Sequence, residues 1–191
     1  MRYTAKIIAS WLVKTGAISL QMQEVFEYGI FSFFFSTLPL LVVILLSIPL
    51  GMVFEGFLMI IPFILLRKFT GGFHFSTPLP CILTSVALLI FNLVGIYVTI
   101  YYKTYSIIST LVVLSLIPII VYSPIDSQNR KLSEIEKKLF RKIAITLSLI
   151  VTFIYSVFLF SSCYHIAIPI GFGIILTAFL QVPCFFKKDH S

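Results

Sequence analysis

Residues 67–81 read RKFTGGFHFSTPLPC and gather one histidine, one cysteine, two adjacent glycines, two prolines and two basic residues between apolar runs. An imidazole and a thiol seven positions apart, His74 and Cys81, are the minimum set for a cysteine nucleophile with its general base. The backbone around them favours a site. Gly71-Gly72 stops a helix, because glycine accepts φ > 0 and weakens a helix interior. Thr77-Pro-Leu-Pro starts the next one, since proline fits a first turn where an N–H has no intrahelical partner. His74 is therefore expected in a short loop or re-entrant segment, and Cys81 in the first turns of the following helix. A helix start, an imidazolium and the Arg67 guanidinium would each favour a thiolate at Cys81. Unpaired backbone N–H groups nearby are available to an oxyanion. The plainer alternative, favoured on spacing alone, makes His74 a polar anchor and Cys81 a packing residue.

The elements that must position these residues are set by composition. The chain has 191 residues, 59% hydrophobic and 11% charged, against about 25% charged in a soluble domain. So little charge cannot cover a globule of this size, and the bilayer is the expected solvent. The expected architecture is an all-α polytopic membrane protein of about six transmembrane helices in a single integral membrane domain, 1–191. Its parts are an amphipathic N-terminal region (1–28), a transmembrane bundle (29–185) and a basic C-terminal tail (186–191). Arg2, Lys6, Lys14, Glu24 and Glu27 interrupt residues 1–28, so no cleavable signal sequence is expected there. Ile7, Ile8, Trp11, Leu12 and Ala17/Ile18 recur at helical spacing with Lys6 and Lys14 off the stripe, as in a helix lying in the interface.

Residues 28–66 are apolar except for Glu55 and too long for one span of about 20 residues. Ser47, Pro49 and Gly51 provide the break. Spans are expected at about 29–48, 51–66, 82–100, 105–122, 143–162 and 165–185. With both termini cytoplasmic, every one of the 14 basic residues except Lys103 falls on the inner side, which fixes the expected orientation and puts residues 67–81 at the cytoplasmic face. The loop SQNRKLSEIEKKLFRK (127–142) carries Leu132, Ile135 and Leu139 at spacings of three and four. It reads as a short basic amphipathic helix, either a headgroup-touching loop or, with Lys68, Arg130, Lys131, Lys137 and Lys138, a docking surface for an acidic peptide segment. These readings are not exclusive.

The three cysteines, Cys81, Cys163 and Cys184, are odd in number and widely spaced. Neither a disulfide framework nor a metal or other cofactor is expected. No phosphate loop is present, and the net charge of +7 follows from topology rather than nucleic-acid binding. Cys163 and His165 fall in the connection between the last two spans and read as structural. Glu55 reads as a partner for a basic group or as a protonated interface acid.

The pattern Arg67-x4-Gly72-x-His74-x6-Cys81, with the basic amphipathic N-terminal region, the EYGI stretch at 27–30, the basic central loop and the length, resembles the accessory gene regulator B (AgrB-like) family of bacterial membrane cysteine endopeptidases. The resemblance spans the whole chain. It implies Cys81 as nucleophile and His74 as general base and acid, with Gly72 giving backbone freedom beside the histidine. Arg67 has three available roles: assisting the ion pair, holding substrate or anchoring the span. It also implies a small propeptide substrate (AgrD-like) trimmed at its C-terminal tail through a thioester. The product is a thiolactone or lactone autoinducing peptide for quorum sensing, made by a homodimer in the cell membrane. The spans hold no GxxxG dimerisation motif. The rivals are a transporter or channel, which would need ionisable groups at mid-membrane, a membrane thiol acyltransferase, and a structural protein in which His74 and Cys81 are incidental.

Overall fold

The computed structural model describes residues 2–72, 78–125, 133–182 and 184, with the backbone alone at 2, 31–40, 78–79 and 81–82. The described residues are almost wholly helical. The helices are α1 (Arg2–Lys14), a single 3-10 turn at Leu20–Met22, α2 (Gln23–Ser47), α3 (Val53–Thr70), α4 (Pro78–Tyr102), α5 (Tyr105–Tyr122), α6 (Glu134–Phe160) and α7 (Tyr164–Phe179). Each of the six apolar runs expected as spans is helical over most of its described residues. Leu83–Tyr102, Tyr105–Tyr122 and Glu134–Phe160 are long and apolar enough to cross a membrane, and Tyr164–Phe179 is a shorter apolar helix. The chain is a helical membrane protein.

The chain divides into two compact units, 1–42 and 43–191. In the first, α1 buries Ala5 and Ala9 and exposes Tyr3, Ile7 and Trp11 one turn apart. Lys6 and Lys14 are also exposed. Small residues on one face and large amphipathic ones on the other suit a helix lying at a membrane surface. Gln23 Nε2 donates to Ser10 Oγ at 3.2 Å.

In the second unit α7 is the hub, packing against α3, α4, α5 and α6. It is buried from Ala167 to Ala178 except at Ile175. Small residues make this possible. A Cβ on Gly173 would meet the Met59 carbonyl oxygen at 2.5 Å, and one on Gly171 the Tyr155 ring at 2.9 Å. The backbones of α7 and α3 therefore touch directly, the packing mode that serves where lipid removes the hydrophobic drive between helices. Tyr155 also bonds Ser109 Oγ at 2.9 Å, tying α6 to α5.

The breaks between helices follow the sequence signals. α2 stops at Ser47, and Gly51 adopts φ 64 before α3 begins. α3 stops at Thr70, where Gly71 adopts φ 69 and its N–H caps the Arg67 carbonyl. α4 begins at Pro78, as the Thr-Pro signal requires.

One element differs from expectation. Residues 134–142 are not a separate helix but the first turns of α6. Ser133 starts it with a capping box: the Glu136 N–H donates to Ser133 Oγ at 3.3 Å, and the Ser133 N–H donates to Glu136 Oε2 at 2.9 Å. Two otherwise unpaired donors are satisfied, so nothing breaks the helix between its basic start and its apolar body.

Candidate active site

Gly71 and Gly72 begin the connection from α3 to α4, and contacts from Arg67 and Ile125 hold its first residues. Arg67 Nη1 donates to the Gly71 carbonyl at 2.7 Å. This folds the guanidinium back over the turn that follows its own helix. The Ile125 N–H donates to the Thr70 carbonyl at 2.9 Å, and Gly71 and Ile125 pair as an isolated parallel bridge. The chain leaving α5 is thereby stitched to the chain leaving α3.

Both positions admit only glycine. A Cβ on Gly71, at φ 69, would overlap the Ile125 carbonyl oxygen. A Cβ on Gly72, at φ 138, would overlap the Arg67 guanidinium and lie 3.0 Å from the Leu180 carbonyl oxygen. These are also backbone angles that a side chain strains. Gly72 is buried.

The end of α7 closes the same region. Gln181 is fully buried, with Thr70 and Ser123 beside it. Its Nε2 donates to Ser123 Oγ at 3.0 Å and reaches the Thr70 carbonyl at 3.5 Å. One amide thus holds the C-terminal ends of α3, α5 and α7 together. The start of α6 joins them through Phe69 and Phe140, whose rings meet edge to face at 5.7 Å. α4 meets α5 across the short Lys103-Thr104 connection, and its first residue, Pro78, follows Gly72 by six positions in the chain.

The expected site residues map onto this end as follows. Arg67 and Gly72 are in contact at the turn. The backbone of Cys81 lies in the first turn of α4. His74, the Cys81 side chain, Arg130 and Lys131 lie outside the described residues. Lys68 and Lys138 are exposed. Lys68 Nζ stands 5.6 Å from the centre of the Phe69 ring, and Lys137 bonds Glu134 at 3.1 Å.

The opposite end of the bundle holds the second histidine. His165 Nδ1 and Glu55 Oε1 are 3.0 Å apart, with His165 largely exposed and Glu55 mostly covered. Tyr105 and Tyr164 stack beside them at 3.9 Å. Cys163 caps α7 and is exposed. Among the described residues no three histidine, cysteine or carboxylate side chains gather as metal ligands.

The sequence reading overlooked Gln181, Thr70 and Ser123. Gln181 had a signal: it is a lone amide in the apolar run from Tyr164 to Cys184, and polar groups in such runs are retained for a reason.

No curated protein and no solved structure matches the chain. The family model described as Accessory gene regulator B does, over residues 5–183. That match runs from within α1 to beyond α7 and takes in the whole Arg67–Cys81 motif. The chain belongs to the accessory gene regulator B family, and so takes part in the processing of quorum-sensing peptides.

Proposed function

We propose that the chain is a membrane cysteine endopeptidase that trims a small AgrD-like propeptide and promotes its cyclisation, with Cys81 as nucleophile and His74 as general base and acid. The observation that carries the reading is the family match across the Arg67-x4-Gly72-x-His74-x6-Cys81 motif. The geometry supports it at one point. The turn just before His74 is tied down by the Arg67 and Ile125 contacts, and catalysis depends on placement to within about 1 Å.

The thiolate of Cys81 attacks the backbone carbonyl carbon at the junction of the central peptide and its C-terminal tail. The tetrahedral oxyanion is stabilised by N–H donors at the start of α4. The C–N bond breaks, His74 protonates the leaving amine, and the tail departs. The central peptide remains as a thioester on Cys81. A side-chain thiol of that peptide then gives its proton to His74 and attacks the thioester carbonyl. Cys81 leaves as a thiolate, and a thiolactone ring is closed. Exchange of one thioester for another is close to balanced in energy, so a cysteine suits this step better than a serine. A hydroxyl attacking in place of the thiol would give a lactone. Water must be kept from the acyl-enzyme, or hydrolysis wins.

The reading places the site at the cytoplasmic leaflet of a homodimer. There Lys68, Lys137 and Lys138, with Arg130 and Lys131, face an acidic tail. The test is a thioester trap. The chain is co-expressed with a propeptide encoded beside it, and membranes are run on a non-reducing gel before and after neutral hydroxylamine. A hydroxylamine-labile adduct that is lost in Cys81→Ala and in His74→Ala is expected. A folded wild-type chain that leaves the propeptide whole and unattached sinks the proposal.

A further inference from the structure

Gln181 lies outside the 67–81 motif, a hundred residues along the chain from Cys81, yet its amide is bonded into the turn that precedes His74. Its orientation follows from its partners. The carbonyl of Thr70 accepts only, so the nitrogen must face it, and Nε2 also reaches Ser123 Oγ. This leaves Oε1 buried with no hydrogen-bond donor. A leucine would fill a similar volume with no orphaned oxygen. A buried polar atom left unpaired calls for a reason, and fold stability does not supply one. What the amide does is join three helix ends at one point. It sits one residue past Leu180, whose carbonyl oxygen faces Gly72. It also shares the Thr70 carbonyl with the Ile125 N–H.

We propose that Gln181 is a positioning residue of the peptidase site: through Thr70 and Ser123 it fixes the Gly71-Gly72 turn, and with it where the active-site segment begins. The inference rests on the peptidase reading above. It extends the site to α7, so that the most buried helix of the bundle sets the depth and angle of the catalytic turn. Gln181 touches neither substrate nor reacting atoms. It acts through the backbone of residues 70–72.

The test reads the reactivity of Cys81 rather than fold stability. The full chain in lipid nanodiscs is alkylated with iodoacetamide across a pH series. The Cys81 peptide is followed by mass spectrometry, which separates it from those of Cys163 and Cys184. Thermal unfolding is measured on the same samples. In the wild type, Cys81 is expected to react well below the ordinary thiol range near about 8.5, as a thiolate paired with an imidazolium does. Gln181→Leu is expected to unfold within a few degrees of wild type. Its Cys81 should react about tenfold more slowly at pH near 6, with the midpoint moved toward an ordinary thiol, because a misplaced base loses its effect within about 1 Å. Ser123→Ala, which removes one of the two acceptors and keeps the glutamine, should move the profile the same way by a smaller step. It decides the matter if Gln181→Leu does not fold. A folded Gln181→Leu, or failing that Ser123→Ala, with the wild-type profile overturns the proposal. A wild-type Cys81 that titrates as an ordinary thiol overturns the peptidase reading itself, and this inference with it.

Discussion

Glu55 is joined to His165, with Oε1 and Nδ1 3.0 Å apart, and not to Arg67. Glu55 stands in the first turn of α3 and Arg67 in the last, about 18 Å apart at 1.5 Å per residue. The acidic residue embedded in the apolar runs is therefore spent on holding the start of α3 to the start of α7. It lies at the opposite end of α3 from the Gly71-Gly72 turn.

Glu55→Gln should accordingly leave the catalytic end untouched. His165 is largely exposed, and such a pair contributes at most about 1 kcal/mol. A fall of a few degrees in the unfolding temperature is expected, with the rate of Cys81 alkylation unchanged. His165→Ala should match it, and the double variant should be no worse than either single one, since both remove the same bond. A large loss of Cys81 reactivity in Glu55→Gln would show that the two ends of the bundle are coupled, contrary to this separation.

Gly72→Ala should abolish thioester formation while leaving the bundle assembled. The methyl would meet the Arg67 guanidinium, which would then have to leave the Gly71 carbonyl. The backbone would also be held at φ 138 with a side chain present, a strain of about 1–3 kcal/mol. Shortening Arg67 separates the two effects. Arg67→Ala in a Gly72→Ala chain removes the clash but not the strained angle, so unfolding temperature should recover in part and thioester formation should not. Full recovery of processing in the double variant would mean that Gly72 serves only to make room for the arginine.

Much of this arrangement is legible in the sequence. Glycine pairs and Pro-containing starts act locally, so Gly71 and Pro78 mark the end of α3 and the start of α4 by residue type alone. The apolar runs mark the helices because each must satisfy its own backbone in lipid. Two further features were written locally but read too coarsely. Ser133 and Glu136 spell a capping box, so the basic stretch after them had to be the start of α6. Gln181 stands out as an amide in an apolar run. What no local pattern carries is which helix is central. α7 resembles α5 in composition, and only three-dimensional packing reveals that Gly171 and Gly173 let the neighbouring helices close on it. The partners of Gln181 and Glu55 lie more than fifty residues away along the chain, beyond the reach of spacing arguments.

The charge pattern predicts which end of the bundle faces the cytoplasm, and Cys163 offers a direct test. It caps α7 in a connection between helices, is exposed, and lies at the end marked by His165 and Glu55. Lys68 is exposed at the other end. In a chain with Cys81→Ser and Cys184→Ser, a membrane-impermeant maleimide should label Cys163 on intact cells. When Cys163→Ser and Lys68→Cys are then introduced, position 68 should be labelled only after permeabilisation. The reverse pattern would put the 67–81 motif on the outer face. It would then contradict the basic residues as a guide to orientation, and cleavage would have to follow export of the whole propeptide rather than occur on the cytoplasmic leaflet. The expected pattern puts the basic residues and the 67–81 motif at one membrane surface, where diffusion in two dimensions would bring a membrane-bound propeptide to them.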